Sequence, residues 1–403
     1  MTSLSNPNPI PFKHILWRTI KRIATFIRAR RHHQLAIAER DYLISRAFHH
    51  IQDKTFPRAA EEARSLLITI IPEHNEMSGG IYSFFSIAKT LYSLRARHHY
   101  TSIMMTRPNE LDETYVRQKH FRNCEDIFRF QQVLRCNQVE TLYVLLPEYA
   151  TIEFSDYITK DKDIYHYLKS RRNFYVNILN QNVELMPPPS AFSRLRAIAT
   201  GLSQSVAHHA YFRQTLTDTY NLPTLLLPAY TDLSDYMTIP RAEKRKLIIY
   251  SPDDSKLKQH ILQDLRHKLP EYQLLEIRNM SFDDYMHYAT ICRYAITFGE
   301  GFDGYLAQPS NQGGVAFAAH NSNYFPDHDF SAYKNIFRDE QDMYQRISQT
   351  IQELDDSDDQ YAMVTAKMRT LYESLYSPDK YRSQVLRLAL RQFDLMPFHQ
   401  PKI

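Results

Sequence analysis

Short apolar runs rich in branched residues recur along this chain, and stretches with helical spacing separate them. Runs of this kind read as strands buried on both faces, the pattern of a parallel sheet. In the first half they are Ser65–Pro72 (SLLITIIP), Thr101–Thr106, Thr141–Leu146, Asn173–Leu179, Leu195–Thr200 and Thr224–Leu227, with helical spacing over Ile81–Leu94. The second half repeats the alternation. Strand Lys246–Tyr250 leads to helix Lys256–Leu269, strand Gln273–Ile277, helix Phe282–Cys292, strand Tyr294–Phe298 and strand Val315–Ala319. From Gln341 onward the pattern is helical and charged. Strand–helix alternation predicts a doubly wound parallel sheet, and 403 residues are enough for two such domains, each with its own core. The expected class is therefore α/β, two Rossmann-like domains facing across a cleft. The expected divisions are a helical segment over 1–64, a first Rossmann-like domain over 65–235 and a second over 236–375. A C-terminal helix over 376–403 is expected to pack back on the first domain.

Glycine usage sharpens this. Of only 8 glycines, all but Gly201 fall in two short segments. Gly79 and Gly80 lie in IPEHNEMSGGIYSFF, and Gly299, Gly301, Gly304, Gly313 and Gly314 lie in TFGEGFDGYLAQPSNQGGVAF. Both segments follow a strand-like run and precede a helix-like one. That is where α/β proteins hold phosphate against helix N-termini, although tight turns alone also use glycine.

A hydrophobic content of 43% with 23% charged residues describes a folded chain. The net charge of +4 gives no reason to expect a nucleic-acid partner. The charge is uneven: no acidic residue occurs from Met1 to Ala38, while Lys13, Arg18, Lys21, Arg22, Arg28, Arg30 and Arg31 are basic. Phe12, Ile15, Leu16, Ile23, Phe26 and Ile27 recur between them near helical spacing, with Trp17 as an interfacial anchor. Such a basic amphipathic helix lies on an anionic membrane surface, or it packs on its own domain with a solvated basic face. No stretch reaches the roughly 20 apolar residues of a membrane span, and arginines interrupt any signal-like run. Cys124, Cys136 and Cys292 form no CxxC pair, which fits a reducing compartment without a disulfide framework. The expected location is cytoplasmic, peripheral on the inner face of the plasma membrane.

The stretch from Glu300 to Val315 concentrates the chemistry. Gly301, Phe302, Asp303 and Gly304 can present backbone N–H groups at the start of a helix, an anion site suited to a diphosphate. Glu300 and Gln308 can turn toward the same ligand and hold sugar or ribose hydroxyls. His74, just ahead of the first glycine pair, is a candidate for proton transfer near neutral pH, or a structural histidine. His208-His209 reads as the first turn of a helix, and Asp253-Asp254 as a helix cap. No HExxH, DxD-type pair or Cys/His cluster points to a metal, and no cofactor is expected beyond a donor substrate.

EGFDGYLAQPSNQGGVAF resembles the signature of family 4 glycosyltransferases: Glu-Gly-Phe-Gly, four residues, a second Glu, then Gly leading into an apolar strand. The resemblance covers about residues 66–392 and implies the GT-B fold, with a nucleotide-sugar in the cleft. It implies that Gly79 and Gly80 form the N-terminal glycine loop and that Lys256 is the donor-phosphate lysine. The amides of Gly80, Gly304 and Tyr305 would join that lysine on the diphosphate, Arg278 would lie at the base, and Glu300 and Gln308 would hold donor hydroxyls. There are departures. Ser251 stands where the family has a phosphate-binding Arg, which leaves Lys258 or Arg278 as substitute cations; Gln308 replaces the second Glu, and Asp303 replaces Gly. Asn180-Gln181-Asn182-Val183-Glu184 is similar to the Gln-Asp-x-Glu segment of rhamnan-type rhamnosyltransferases. Glu184 is thereby a candidate to orient the acceptor or act as base, or else a loop carboxylate ahead of the prolines.

The resemblance implies a metal-independent hexosyl or deoxyhexosyl transferase. It would move a sugar from a nucleotide-diphosphate donor to a growing surface glycan (capsule, O-antigen or similar) or its lipid-linked form. The alternatives are a catalytically inactive GT-B protein that binds a glycan or a partner transferase, and another two-Rossmann enzyme such as a nucleotide-sugar epimerase, which the Glu-Gly-Phe motif disfavours.

Overall fold

The computed structural model describes residues 56–71, 79–106, 126–228, 230, 237–299, 301–302 and 304–398. The basic N-terminal stretch, His74, Glu300 and Asp303 lie outside the described residues. Two sheets organise the rest. The first contains β1 (Ser65–Ile71), β2 (Thr101–Thr106), β3 (Ile127–Arg129), β4 (Thr141–Pro147), β5 (Asn173–Asn180), β6 (Gly201–Val206) and β7 (Thr224–Leu226). Its order is β3-β2-β1-β4-β5-β6-β7, with every neighbouring pair parallel. The second contains β8 (Arg245–Tyr250), β9 (Gln273–Glu276), β10 (Cys292–Ile296), β11 (Val315–Ala319) and β12 (Ile336–Phe337), again all parallel, in the order β12-β11-β10-β8-β9.

The helices are α1 (Gly79–Ser93), α2 (Thr151–Lys160), α3 (Lys162–Lys169), α4 (Ser193–Ile198), α5 (Gln214–Tyr220), α6 (Lys258–Lys268), α7 (Phe282–Ile291), α8 (Gly304–Asn311), α9 (Glu340–Asp355), α10 (Asp358–Leu375) and α11 (Pro378–Ala389). Parallel strands are covered on both faces, so a central strand is written as an unbroken apolar run. In β1 every residue after Ser65 is buried. Leu66, Ile68 and Ile70 join Leu142, Val144, Leu146 and Phe154 in one core.

One strand assignment needs correction. Leu195–Thr200 is not a strand: Ser193–Ile198 is helical, and the strand follows it at Gly201–Val206. Leu195 and Ile198, three apart, are buried while Arg196 and Ala197 are exposed, which is helical periodicity. The true strand, GLSQSV, is polar, and its side chains pair across the sheet. Asn177 Nδ2 donates to Ser203 Oγ at 2.9 Å, Ser205 Oγ donates to Asn177 Oδ1, and Gln204 Nε2 donates to Thr224 Oγ1 at 3.0 Å. The His208-His209 pair leads into a short 3-10 turn, His209–Tyr211, in place of an α-helix.

The chain crosses between the sheets a second time at its end. α11 packs against α1 and β7. Beyond it, Arg391 adopts a left-handed conformation (φ 54°), stacks over the Tyr175 ring at 3.9 Å and donates to the Tyr100 hydroxyl at 2.7 Å.

The order of each sheet reverses once, between β1 and β4 in the first and between β8 and β10 in the second. Crevices open at the carboxyl ends of strands at such reversals, and ligands of doubly wound proteins sit in them.

Candidate active site

The second reversal is locked by Ser251, the residue after β8. Its buried hydroxyl accepts from Phe298 N–H at 2.9 Å, fastening the end of β8 to the segment leaving β10. That segment then turns through Gly299 (φ +78°) and Gly301 (φ +83°) into α8. Only glycine suits position 301. Its φ is left-handed, and a Cβ there would lie 2.8 Å from the Phe325 ring and 2.9 Å from the Ala319 carbonyl oxygen. Phe302 follows with its ring buried against Phe325, Phe330 and Tyr376. Gly304 is the first residue of α8. The Gln308 amide stands against it, close enough that a Cβ on Gly304 would meet it at 3.1 Å. Tyr305 is half-buried beside Tyr285, with ring centroids 5.3 Å apart.

The cations beside this loop have distinct roles. Lys256 is exposed on the turn ahead of α6. Lys258, offered by the sequence as a stand-in for the Arg absent at Ser251, is buried, and its ammonium is spent on the fold. It donates to Ser251 O at 3.0 Å, Asp253 O at 2.8 Å and Glu276 Oε1 at 3.2 Å, which uses all three of its donors. Arg278 lies half exposed at the end of β9, bonded to Glu276 Oε2 at 3.1 Å and to Pro252 O at 3.1 Å.

At the first reversal, Gly79 and Gly80 open α1. Gly80 O accepts from Ser83 Oγ at 2.7 Å and from Gln181 Nε2 at 3.2 Å, which ties the helix start to the end of β5. The next residue, Asn182, donates its N–H to Glu148 Oε1 at 3.1 Å and accepts from Glu184 N–H at 2.9 Å. The Glu184 side chain is exposed. Glu148 immediately follows β4 and is 2% exposed. Burial pushes its carboxyl up to about 7, against the backbone N–H bonds from Glu148 itself, Asn182 and Gln181. Its Oε2 has no hydrogen-bond partner among the described residues. His208, after β6, is shifted the other way, down to about 4, first by burial and then by the neighbouring His209. Its ring meets Tyr324, from the second half of the chain, at 5.7 Å.

The two glycine segments are joined by rings. Tyr82 in α1 stacks on Phe282 at 4.3 Å and 20°. Phe282 is the first residue of α7, fixed by a reciprocal cap between Ser281 and Asp284. One turn on, the Tyr285 hydroxyl donates to Gly304 O at 3.0 Å. Gly79, Gly80, Gly304, Tyr305 and Gln308 are thus linked through Tyr82, Phe282 and Tyr285. Lys256 and Arg278 flank the second reversal, and Glu184 sits on the first-sheet side with Glu148.

Sequence reasoning passed over Glu148, Tyr82, Phe282 and the contact of His208 with Tyr324. For Glu148 a signal existed, a carboxylate directly after the run TLYVLLP. The ring contacts join residues far apart in the chain and leave no local pattern. Among the described residues no group of three or more His, Cys, Asp or Glu is placed to hold a metal ion. No helix among them is long and apolar enough to cross a membrane.

No family model and no curated protein matches this sequence. Among solved structures, the catalytic domain of starch synthase IV from Arabidopsis thaliana, bound to ADP and acarbose, is similar with a TM-score of 0.52. The identity is 7%, over 82% of this chain and 99% of that chain. Sucrose-phosphate synthase from Thermosynechococcus elongatus gives 0.49 at 10% identity, over 81% of this chain and 99% of that one. A glycosyltransferase from Rickettsia africae gives 0.46 at 11% identity, over 81% and 99%. At such identities the likeness is one of fold. The chain is an α/β protein with the GT-B architecture: two Rossmann-like parallel sheets, each with one reversal of strand order.

Proposed function

We propose that this protein is a glycosyltransferase that takes a sugar from a nucleotide-diphosphate donor. The observation that carries the reading is the joining of two glycine-started helices, one from each sheet reversal, through the Tyr82–Phe282 stack and the Tyr285–Gly304 bond. Amides at a helix start suit the diphosphate, and Lys256 adds an exposed positive charge. Glu300 and Gln308 serve the donor hydroxyls, Arg278 the base, and Glu184 and His74 the acceptor side. An acceptor hydroxyl attacks the anomeric carbon and gives up its proton to an acceptor-side base, Glu184 or His74, as the bond to the diphosphate breaks and its electron pair leaves with the diphosphate. Preorganised amides stabilise that leaving charge without a metal.

Within this reading the acceptor is a growing surface glycan or its lipid-linked precursor. The basic segment around Lys13–Arg31 rests on the anionic inner face of the plasma membrane. Co-sedimentation of the full chain with anionic but not neutral vesicles checks that last point, and equal binding to both, or to neither, removes it.

The test of the donor site is a thermal-shift titration with UDP, GDP and dTDP, alone and as sugar conjugates, on wild type and Glu300→Ala. A nucleotide at 100 times its dissociation constant adds about 2.7 kcal/mol. A shift with one base, diminished in the variant, is the expected result. No shift with any nucleotide overturns the reading. One observation favours the second reading, a GT-B protein that binds a glycan or partner transferase without turnover. Ser251 supplies no charge, and Lys258 is committed to strand ends.

A further inference from the structure

A cavity of about 340 Å³ lies between the ends of β6 and β7 on one side and the α10–α11 junction on the other. None of the glycines in either cluster lines it. Its size falls at the lower end of small-molecule sites. Three tyrosines form its apolar walls: Tyr230 and Tyr381, stacked with centroids 4.9 Å apart, and Tyr376. Polar groups from both sides complete it. His209 comes from the 3-10 turn after β6, and Lys380 and Ser383 come from α11. No carboxylate lines it among the described residues. The buried Nδ1 of His209 and the buried hydroxyl of Tyr381 have no partner among the described residues.

Flat aromatic faces with hydroxyl, imidazole and ammonium groups around them match a sugar ring, which has one apolar face and an equator of hydroxyls. We propose that this cavity is a saccharide-binding site of one or two rings, separate from the glycine clusters and tolerant of an acidic sugar. The choice of a saccharide over another small amphipathic ring rests on the transferase reading; the existence of a site does not. Position adds a consequence. The walls come from the first sheet and from the junction where the chain returns to it after α10. Tyr376 also packs on Phe302, and Tyr381 also lines a small void shared with Gln181 and Ser83. An occupant therefore touches rings that contact both candidate ligand segments.

The experiment is saturation-transfer NMR on the full chain with the methyl glycosides of glucose, galactose, mannose, rhamnose and glucuronic acid, and with salicylate as a non-sugar ring. Two variants accompany it: Ser383→Trp, which fills the cavity from an exposed position, and Tyr230→Ala, which removes half of the stacked wall. The expected result is transfer to at least one glycoside, weakened at least tenfold in Ser383→Trp. Tyr230→Ala should weaken it too, and it decides the matter if the tryptophan variant does not fold. No transfer to any glycoside, transfer unchanged in the folded variants, or transfer to salicylate alone overturns the proposal. Glycoside transfer lost in the variants, in a protein that no nucleotide stabilises, upholds the cavity and defeats the donor reading, so the two fail separately.

Discussion

The two sheet reversals hold their surroundings by different means. At the second, the loop is built from backbone. Glycines turn it, Ser251 fastens the strand ends, and the buried cation Lys258 is consumed by carbonyl oxygens and Glu276. In the first sheet, two titratable groups stand at the ends of β4 and β6, on either side of β5: the buried Glu148, shifted up, and the half-buried His208, shifted down, with an amide network linking Glu148 to the start of α1. A rigid cradle of amides suits a charge that stays the same through a reaction. Groups with displaced proton affinity suit a place where protons or hydroxyls are handled. In the proposed reading, the difference puts the donor anion on one side and acceptor chemistry on the other.

The comparison is most severely tested at Gly301. Gly301→Val forces a branched side chain into a left-handed conformation and against the Phe325 ring and Ala319 O. Backbone strain and overpacking each amount to about 1–3 kcal/mol. A loss on the order of 3 kcal/mol in urea unfolding is expected, together with loss of any nucleotide-induced thermal shift. If valine leaves both untouched, the second reversal is not a rigid cradle and the contrast collapses.

Much of this was readable beforehand. β2 and β11 coincide with the runs Thr101–Thr106 and Val315–Ala319, because a strand covered on both faces is most often written in apolar residues. β6 was hidden, because three of its four buried positions are Ser203, Gln204 and Ser205, satisfied by Asn177 and Thr224 rather than by hydrocarbon, and only Val206 is apolar. The glycine segments announced themselves by their rarity elsewhere. Glu148 did not, since an acid after a strand ordinarily reads as a turn or cap, and only burial makes it unusual. The burial of Lys258 was equally invisible, because its acceptors are two carbonyls of its own loop and a carboxylate on a neighbouring strand.

A sharper test uses the opposed shifts at the first reversal. The Glu148 carboxyl binds its proton more tightly in the folded chain, near 7 against 4.5, so its stability is full below about pH 4.5 and is lost as pH rises through 7. His208 runs the other way. Its folded value near 4 lies below the usual 6.5, so its contribution is present above about pH 6.5 and is lost as pH falls through 4. Glu148→Gln removes the first term only. Its melting temperature should gain on wild type as pH rises from about 5 to 8, by the equivalent of roughly 3 kcal/mol at most, while the acid-side loss remains. Parallel curves for the two proteins would mean that Glu148 does not hold the displaced proton.

The smallest expected effect concerns what joins the two reversals. The Tyr82–Phe282 stack is worth about 0.5–1.5 kcal/mol beyond its buried area. Phe282 is buried and capped in place, whereas Tyr82 is only partly covered, so Tyr82 is the side to remove. If the stack helps hold the two glycine segments together, a ligand that touches both must supply what Tyr82→Ala takes away. Nucleotide affinity should then fall roughly two- to tenfold. Tyr82→Phe, which keeps the ring and discards the hydroxyl, should restore it. Equal loss in both variants would place the effect in the hydroxyl. Unchanged affinity in both would mean that the second reversal binds its ligand alone and that the acceptor side joins by another route.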